Sequence, residues 1–246
     1  TALIWNPTDI FNPLSILDFD YEERPSVDAF RAQIFFSEVS KGEIVFKPGK
    51  TKEKTIIASK VLLNNWNYDF HFIFGFKFNK PFLGFEWAGD IFGAGFRGEV
   101  LYSKILNNNL TSSLNISNKY QASLALSADY TFSNTLYIHS ELLFNDRGLV
   151  NNYYLADLYM KYLNLINPAK WSLYQEISYE FHPLLRASIF NIINLIDKSG
   201  IVVPSFHWSL QENLDIVSIF LLCYGDAHTE YGEYGSSFLI SLKFSF

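Results

Sequence analysis

Apolar and polar residues alternate along most of the chain. In residues 68–78, Tyr68, Phe70, Phe72, Phe74, Phe76 and Phe78 share one parity, and Asp69, His71, Ile73, Gly75 and Lys77 share the other. Successive side chains of a strand point to opposite faces, so this spacing predicts a strand with one aromatic face. The same period recurs at 83–92, 96–103, 120–132, 135–144, 172–181, 184–192 and 236–246. Less regular strands fall at about 27–37, 42–48, 55–64, 201–210 and 213–224, and in the last of these Val217, Ile219 and Leu221 land on the polar parity. The count is about thirteen strands, many of about 10–12 residues, which is long for a soluble sheet and suited to a tilted membrane strand.

The connections alternate in length. Residues 104–117, 146–170 and 225–235 are long, 133–134, 182–184 and 211–213 are short, and 196–200 is intermediate. Long loops on one side and tight turns on the other are expected of outer-membrane barrels, and this order leaves the end of the last strand on the periplasmic side. One stretch departs from period two. Leu155, Leu158, Tyr159, Tyr162, Leu163 and Ile166 recur at spacings of three and four, which predicts a short helix in an external loop, stopped by Asn167 and Pro168; a strand pair is the alternative there. Asn6-Pro7-Thr8-Asp9 and Asn12-Pro13 are turn signals, so residues 1–25 read as a loop segment, either external or folded into the lumen, ahead of a barrel over 26–246.

Composition narrows the class. Hydrophobic residues make up 49%, aromatics 18% and charged residues only 18%, with a net charge of −6, so there is no electrostatic case for nucleic acid. The single cysteine excludes an intrachain disulfide and a cysteine zinc cluster. No apolar run approaches the ~18–20 residues of a membrane helix, whereas a barrel spreads its apolar residues over every second position. The polar parity is rich in Ser, Gly, Ala, Thr and Asn with isolated charges, as suits a confined lumen, and a face of successive Phe suits lipid. Tyr and Trp gather near strand ends, as interfacial girdles do. The fold expected is therefore all-β, a transmembrane antiparallel up-and-down β-barrel. Its sheet should close, with the last strand paired on both sides.

By parity, the predicted lumen-facing residues are Arg31, Lys60, Asp69, His71, Lys77, Glu86, Asp90, Arg97, Glu99, Asp129, His139, Glu141, Glu176, Glu180, Arg186 and Lys243, together with Glu43, Lys47 and His207. Arg97 and Glu99 are expected to meet Glu86 and Asp90, and Arg186 to meet Glu176 and Glu180. Such groups form either a transverse field that filters solutes or a charge network that props a filled lumen. The predicted lipid-facing residues are Phe70, Phe72, Phe74, Phe76, Phe78, Phe85, Trp87, Phe238, Phe244 and Phe246. His139, Ser140 and Glu141 offer hydrolase residue types, but Ser140 points away from His139, so that trio is no relay. No catalytic residue, cofactor or metal is expected.

The terminal "SFLISLKFSF" resembles the C-terminal signal of Gram-negative outer-membrane β-barrels, which implies the barrel assembly machinery as a partner and the outer membrane as the location. "WNPTDIFNPLS" (5–15), followed by "EERPSVDAFRAQ" (22–33), resembles a motif of porin-like outer-membrane proteins related to alginate-export-type porins. "GDIFGAGFRGEVLYS" (89–103) and "SGIVVPSFHWSLQENLDI" (199–216) are similar to that group as well. There the motif follows one strand and leads through an inward or external loop into the next. Because further strands precede it in that group, and bacterial single-chain barrels have even strand numbers, about fourteen or more strands are expected of the complete protein. The resemblance implies passive diffusion of small hydrophilic solutes, selected by size and lumen charge. The alternatives are a non-conducting barrel that anchors partners through its long loops and, third, an outer-membrane hydrolase.

Overall fold

A computed structural model describes residues 3–11, 27–51, 54–105 and 119–244. Thirteen strands follow one another: β1 (Phe30–Phe35), β2 (Lys41–Lys47), β3 (Ile56–Asn65), β4 (Tyr68–Lys77), β5 (Lys80–Ile91), β6 (Ala94–Lys104), β7 (Tyr120–Thr131), β8 (Tyr137–Asn145), β9 (Trp171–His182), β10 (Leu185–Asn194), β11 (Gly200–Gln211), β12 (Leu214–Tyr224) and β13 (Ser237–Phe244). They form one antiparallel sheet in chain order, so every connection is up-and-down. Among the described residues a short 3-10 turn (Tyr153–Leu155) leads into one α-helix, α1 (Ala156–Leu163), in the β8–β9 loop. No described helix is long and apolar enough to cross a membrane.

The short-turn side is built from tight hairpins. Trp66 and Asn67 both adopt positive φ (54° and 60°), the two-residue turn whose twist matches its flanking strands. On the other side Phe78 and Asn79 repeat that geometry (52° and 60°), so Phe78 belongs to the β4–β5 turn and not to the strand face on which its parity put it. Its ring lies beneath the Lys77 ammonium, 5.5 Å from the centroid. Helix α1 stops earlier than Asn167 and Pro168 suggest, because Asn164 takes the left-handed conformation (φ 54°) that terminates helices. Leu163 and Leu165 on either side of it bury against Ile105.

One face of the sheet is apolar and open. Phe72 and Phe74 are 47% exposed, Phe76 53%, Phe238 53% and Phe244 64%. Phe70 and Phe72 pack on Phe85 of the next strand, Phe85 on Trp87, and Trp87 on Phe96, a belt of cross-strand and same-face ring contacts. Trp87 also covers Gly98, its cross-strand partner, leaving no room there for a side chain. Such a surface in water would be an association hazard, and in lipid it is wetted without any shape complementarity. Phe246 lies outside the described residues.

Closure differs from expectation. Among the described residues β13 pairs with β12 alone and β1 with β2 alone. In an up-and-down sheet strands of odd rank run the same way, so β1 and β13 are parallel to each other and cannot form the antiparallel ladder that joins all the other neighbours.

Candidate functional site

The other face of the sheet is occupied. Residues 3–11 run across it from β8 towards β2, a path fixed by three glutamates. Glu141 on β8, wholly buried, accepts the Ile4 amide at 2.9 Å and the Trp5 amide at 2.7 Å. Glu99 on β6 accepts the Thr8 amide at 3.0 Å, and the Thr8 hydroxyl lies 2.7 Å from Glu99 and 2.6 Å from Glu86 on β5. Lys47 on β2 donates to the Phe11 carbonyl. Within the segment the Asp9 amide bonds the Asn6 carbonyl, closing the turn that the Asn-Pro-Thr-Asp signal announced. Residues 3–11 thus lie against the face of the sheet that carries Glu86, Glu99 and Glu141; residues 12–26, the rest of the expected loop segment, lie outside the described part.

Apolar packing completes the anchorage. Trp5 sits among Tyr174, Ile192, Ile201 and Val203, with Ile219, Leu221 and Cys223 at the edge of the cluster. Ile10 packs with Ile56, Ala58, Ile73, Phe82 and Leu101 on the opposite flank. This explains the irregular parity of β12. Ile219 and Leu221 face inward because an apolar segment covers them. Buried clusters of this kind, and Trp5 and Thr8 themselves, were missed by reading strands alone; the signal present was the out-of-phase apolar residues at 217, 219 and 221.

The predicted inward charges share this face, with partners that parity did not specify. Arg97 pairs with Asp129 on β7, not with Glu86 or Asp90. In the ladder Glu86 stands directly opposite Glu99, and the like charges are separated by the Thr8 hydroxyl and offset by Lys60 (2.8 Å from Glu86) and His71, which also bonds Glu86. Arg31 pairs with Glu43. Arg186 stands opposite Glu180, but its guanidinium donates to Ser178. Asp69 accepts from Asn64. The Asp90 carboxylate accepts the Gly93 amide and so serves the β5–β6 turn. Lys77 is buried beside Ile10, and Lys243 faces Asp215 in the last ladder. His207 is exposed at the short-turn end.

Between the segment and the β1–β6 wall lies a cavity of about 440 Å³, bordered by Asn6, Asp9, Arg31, Lys60, Glu86 and Glu99 among others. Both signs of charge line it. A second cavity, of about 320 Å³, opens near the short-turn end by Tyr137, Ser178, Glu180 and Arg186. Charges of both signs around one space can orient a polar solute held in it.

Ser127, His139 and Glu176 come together from β7, β8 and β9, a hydroxyl, imidazole and carboxylate that sequence reading did not join. Ser127 Oγ is 2.8 Å from His139 Nε2, but Nδ1 is 4.0 Å from Glu176, beyond hydrogen-bond reach. Ser127 and His139 are each 2% exposed and border neither cavity. Among the described residues no group of three or more His, Cys, Asp or Glu is placed to hold a metal.

At the long-loop end the β12–β13 loop folds over the same face of the sheet. Tyr231 joins the Trp5 cluster, and Glu230 is held by Asn167 and by Asn194 at 2.7 Å. Burial pushes the Glu230 carboxyl up to about 7.

No family model matches the chain, and no curated protein matches it. Among solved structures it is similar to OmpF of Salmonella typhi in complex with daunomycin, with a TM-score of 0.55, 10% identity, and coverage of 92% of this chain and 93% of that one. The chain has a porin-like fold. At that identity the likeness concerns the backbone alone, and nothing in it bears on the alginate-export relationship.

Proposed function

We propose that the chain forms an outer-membrane channel of porin type, passing small hydrophilic solutes by diffusion beside residues 3–11. Size is limited by that segment, and charge by Arg31, Lys60, Glu43, Glu86 and Glu99. The observation that carries the reading is an inward segment clamped by three glutamates next to a cavity lined with both charge signs. The lipid-facing role of the Phe belt and recognition of the C-terminal strand by the assembly machinery belong to the same reading. Swelling of liposomes carrying the purified protein in solutions of sugars of increasing size tests it. Swelling with small sugars and none with large ones is expected; swelling with neither contradicts it.

A second reading has its own observation. Trp5, Tyr174, Ile192 and Tyr231 fill part of the lumen under the loops, as in a barrel that anchors partners without conducting. Co-purification of a stoichiometric partner with a protein that gives no swelling favours that reading.

A further inference from the structure

The long-loop end carries a further cavity, of about 370 Å³. Its walls come from two loops distant in sequence. The β8–β9 loop supplies Tyr153, Tyr154 and Met160, and the β12–β13 loop supplies Glu230, Tyr231 and Tyr234. The loops are locked together before any ligand arrives. Asn194 donates to the Tyr153 hydroxyl at 2.7 Å and to Glu230, Asn167 bridges Glu230 and Tyr231, and the Glu230 amide donates to Asp197. A preformed site avoids the ordering cost that mobile loops incur on binding.

We propose that this cavity binds a small organic cation, an ammonium group carried on an apolar or aromatic body, from the external medium. Three features select that chemistry. Tyrosine faces attract cations through their ring quadrupoles, and four tyrosines line the cavity. The buried Glu230 carboxyl is hydrogen-bonded to Asn167, Asn194 and Tyr231, all neutral, so its negative form has no cation beside it among those partners. Neither Lys nor Arg borders the cavity among the described residues, and His228, its single basic group, is engaged by Glu233 at 3.0 Å. The volume falls within the range of small-molecule sites. Tyr154 (79% exposed) and Tyr234 (62%) are the open rings of the lining, and the Tyr234 ring stands beside that of Tyr231.

The test uses the full chain in detergent micelles at neutral pH, with calorimetric titration of 2-phenylethylammonium, the uncharged 2-phenylethanol, and glucose. The ammonium is expected to bind saturably and about tenfold more tightly than the alcohol, as an aromatic cage backed by a carboxylate implies. Tyr234→Ala, which removes an exposed ring that makes no hydrogen bond in the network described, should weaken ammonium binding severalfold while leaving the thermal unfolding profile unchanged. Glu230→Gln should reduce the preference for the ammonium over the alcohol. Absence of saturable ammonium binding, equal affinity for the alcohol, a preference for glucose, or no effect of Tyr234→Ala would each overturn the proposal. None of these outcomes depends on whether the lumen conducts.

Discussion

Replacing Glu141 by Ala tests how the inward segment is held. The carboxylate accepts two backbone amides, from Ile4 and Trp5, at 2.9 and 2.7 Å in a wholly buried setting. A hydrogen bond to a charged group contributes roughly 1.5–3 kcal/mol, so the pair contributes roughly 3–6 kcal/mol. Burial of the Trp5 side chain, 3% exposed, involves roughly 200 Å² and contributes about 5 kcal/mol. The two anchors are therefore comparable, and losing one loosens the segment without releasing it. Hydrogen exchange reads this directly. In the parent protein the Ile4 and Trp5 amides should exchange slowly, and in Glu141→Ala they should exchange roughly a hundred- to ten-thousand-fold faster, since ~1.4 kcal/mol is a factor of ten. Amides of β9 and β10 should be little affected. Unchanged exchange at Ile4 and Trp5, or equal acceleration throughout the sheet, refutes the reasoning.

Other expectations follow from the same contacts. Phe72→Arg places a charge on the open apolar face and should destabilise the membrane-inserted protein by roughly 2–4 kcal/mol in denaturant titrations in lipid vesicles; no loss would argue that this face does not meet acyl chains. Gly98→Ala puts a Cβ against the Trp87 ring, where there is no room for it, and should displace the ring, costing about 1–3 kcal/mol and shifting tryptophan emission to the red. Glu230, raised from 4.5 to about 7 by burial, keeps its proton longer in the docked loop than in a released one. Docking of residues 225–236 is therefore firmest below about pH 4.5, weakens up to about pH 7 by a total of about 3 kcal/mol, and is level above that. Limited proteolysis of the loop against pH checks this, and Glu230→Gln should flatten the profile.

The strands were legible because period two is written into nearly every one. The parity of 68–77 and 120–131 put Phe72 and Leu124 on one face and His71 and Ser127 on the other, and the ladders set Phe72 opposite Phe85, Leu124 opposite Val100, His71 opposite Glu86 and Ser127 opposite Arg97. Phe78 was misplaced because parity cannot see a turn, and only the positive φ of Phe78 and Asn79 ends the strand there. Partners across the sheet were not legible. Arg97 meets Asp129 and not Glu86 because side-chain reach, not parity, chooses between two neighbouring strands. Nor did periodicity reveal the crossing segment. Residues 3–11 have no regular structure, and their place is set by contacts with strands about 80–140 residues away, such as Thr8 with Glu86 and Ile4 with Glu141. The trace they left was indirect, in apolar residues such as Ile219 and Leu221 that sit on an otherwise polar face.

Single-channel conductance in planar bilayers, measured for the parent protein and for the double variant Trp5→Ala/Glu141→Ala, tests the central claim most directly. A small, steady conductance in the parent and a clearly larger one in the variant are predicted, because the segment proposed to narrow the lumen loses its anchors at Ile4 and Trp5 and is held only through Thr8, Ile10 and Phe11. Equal conductance in the two, or no current from either, would contradict the account.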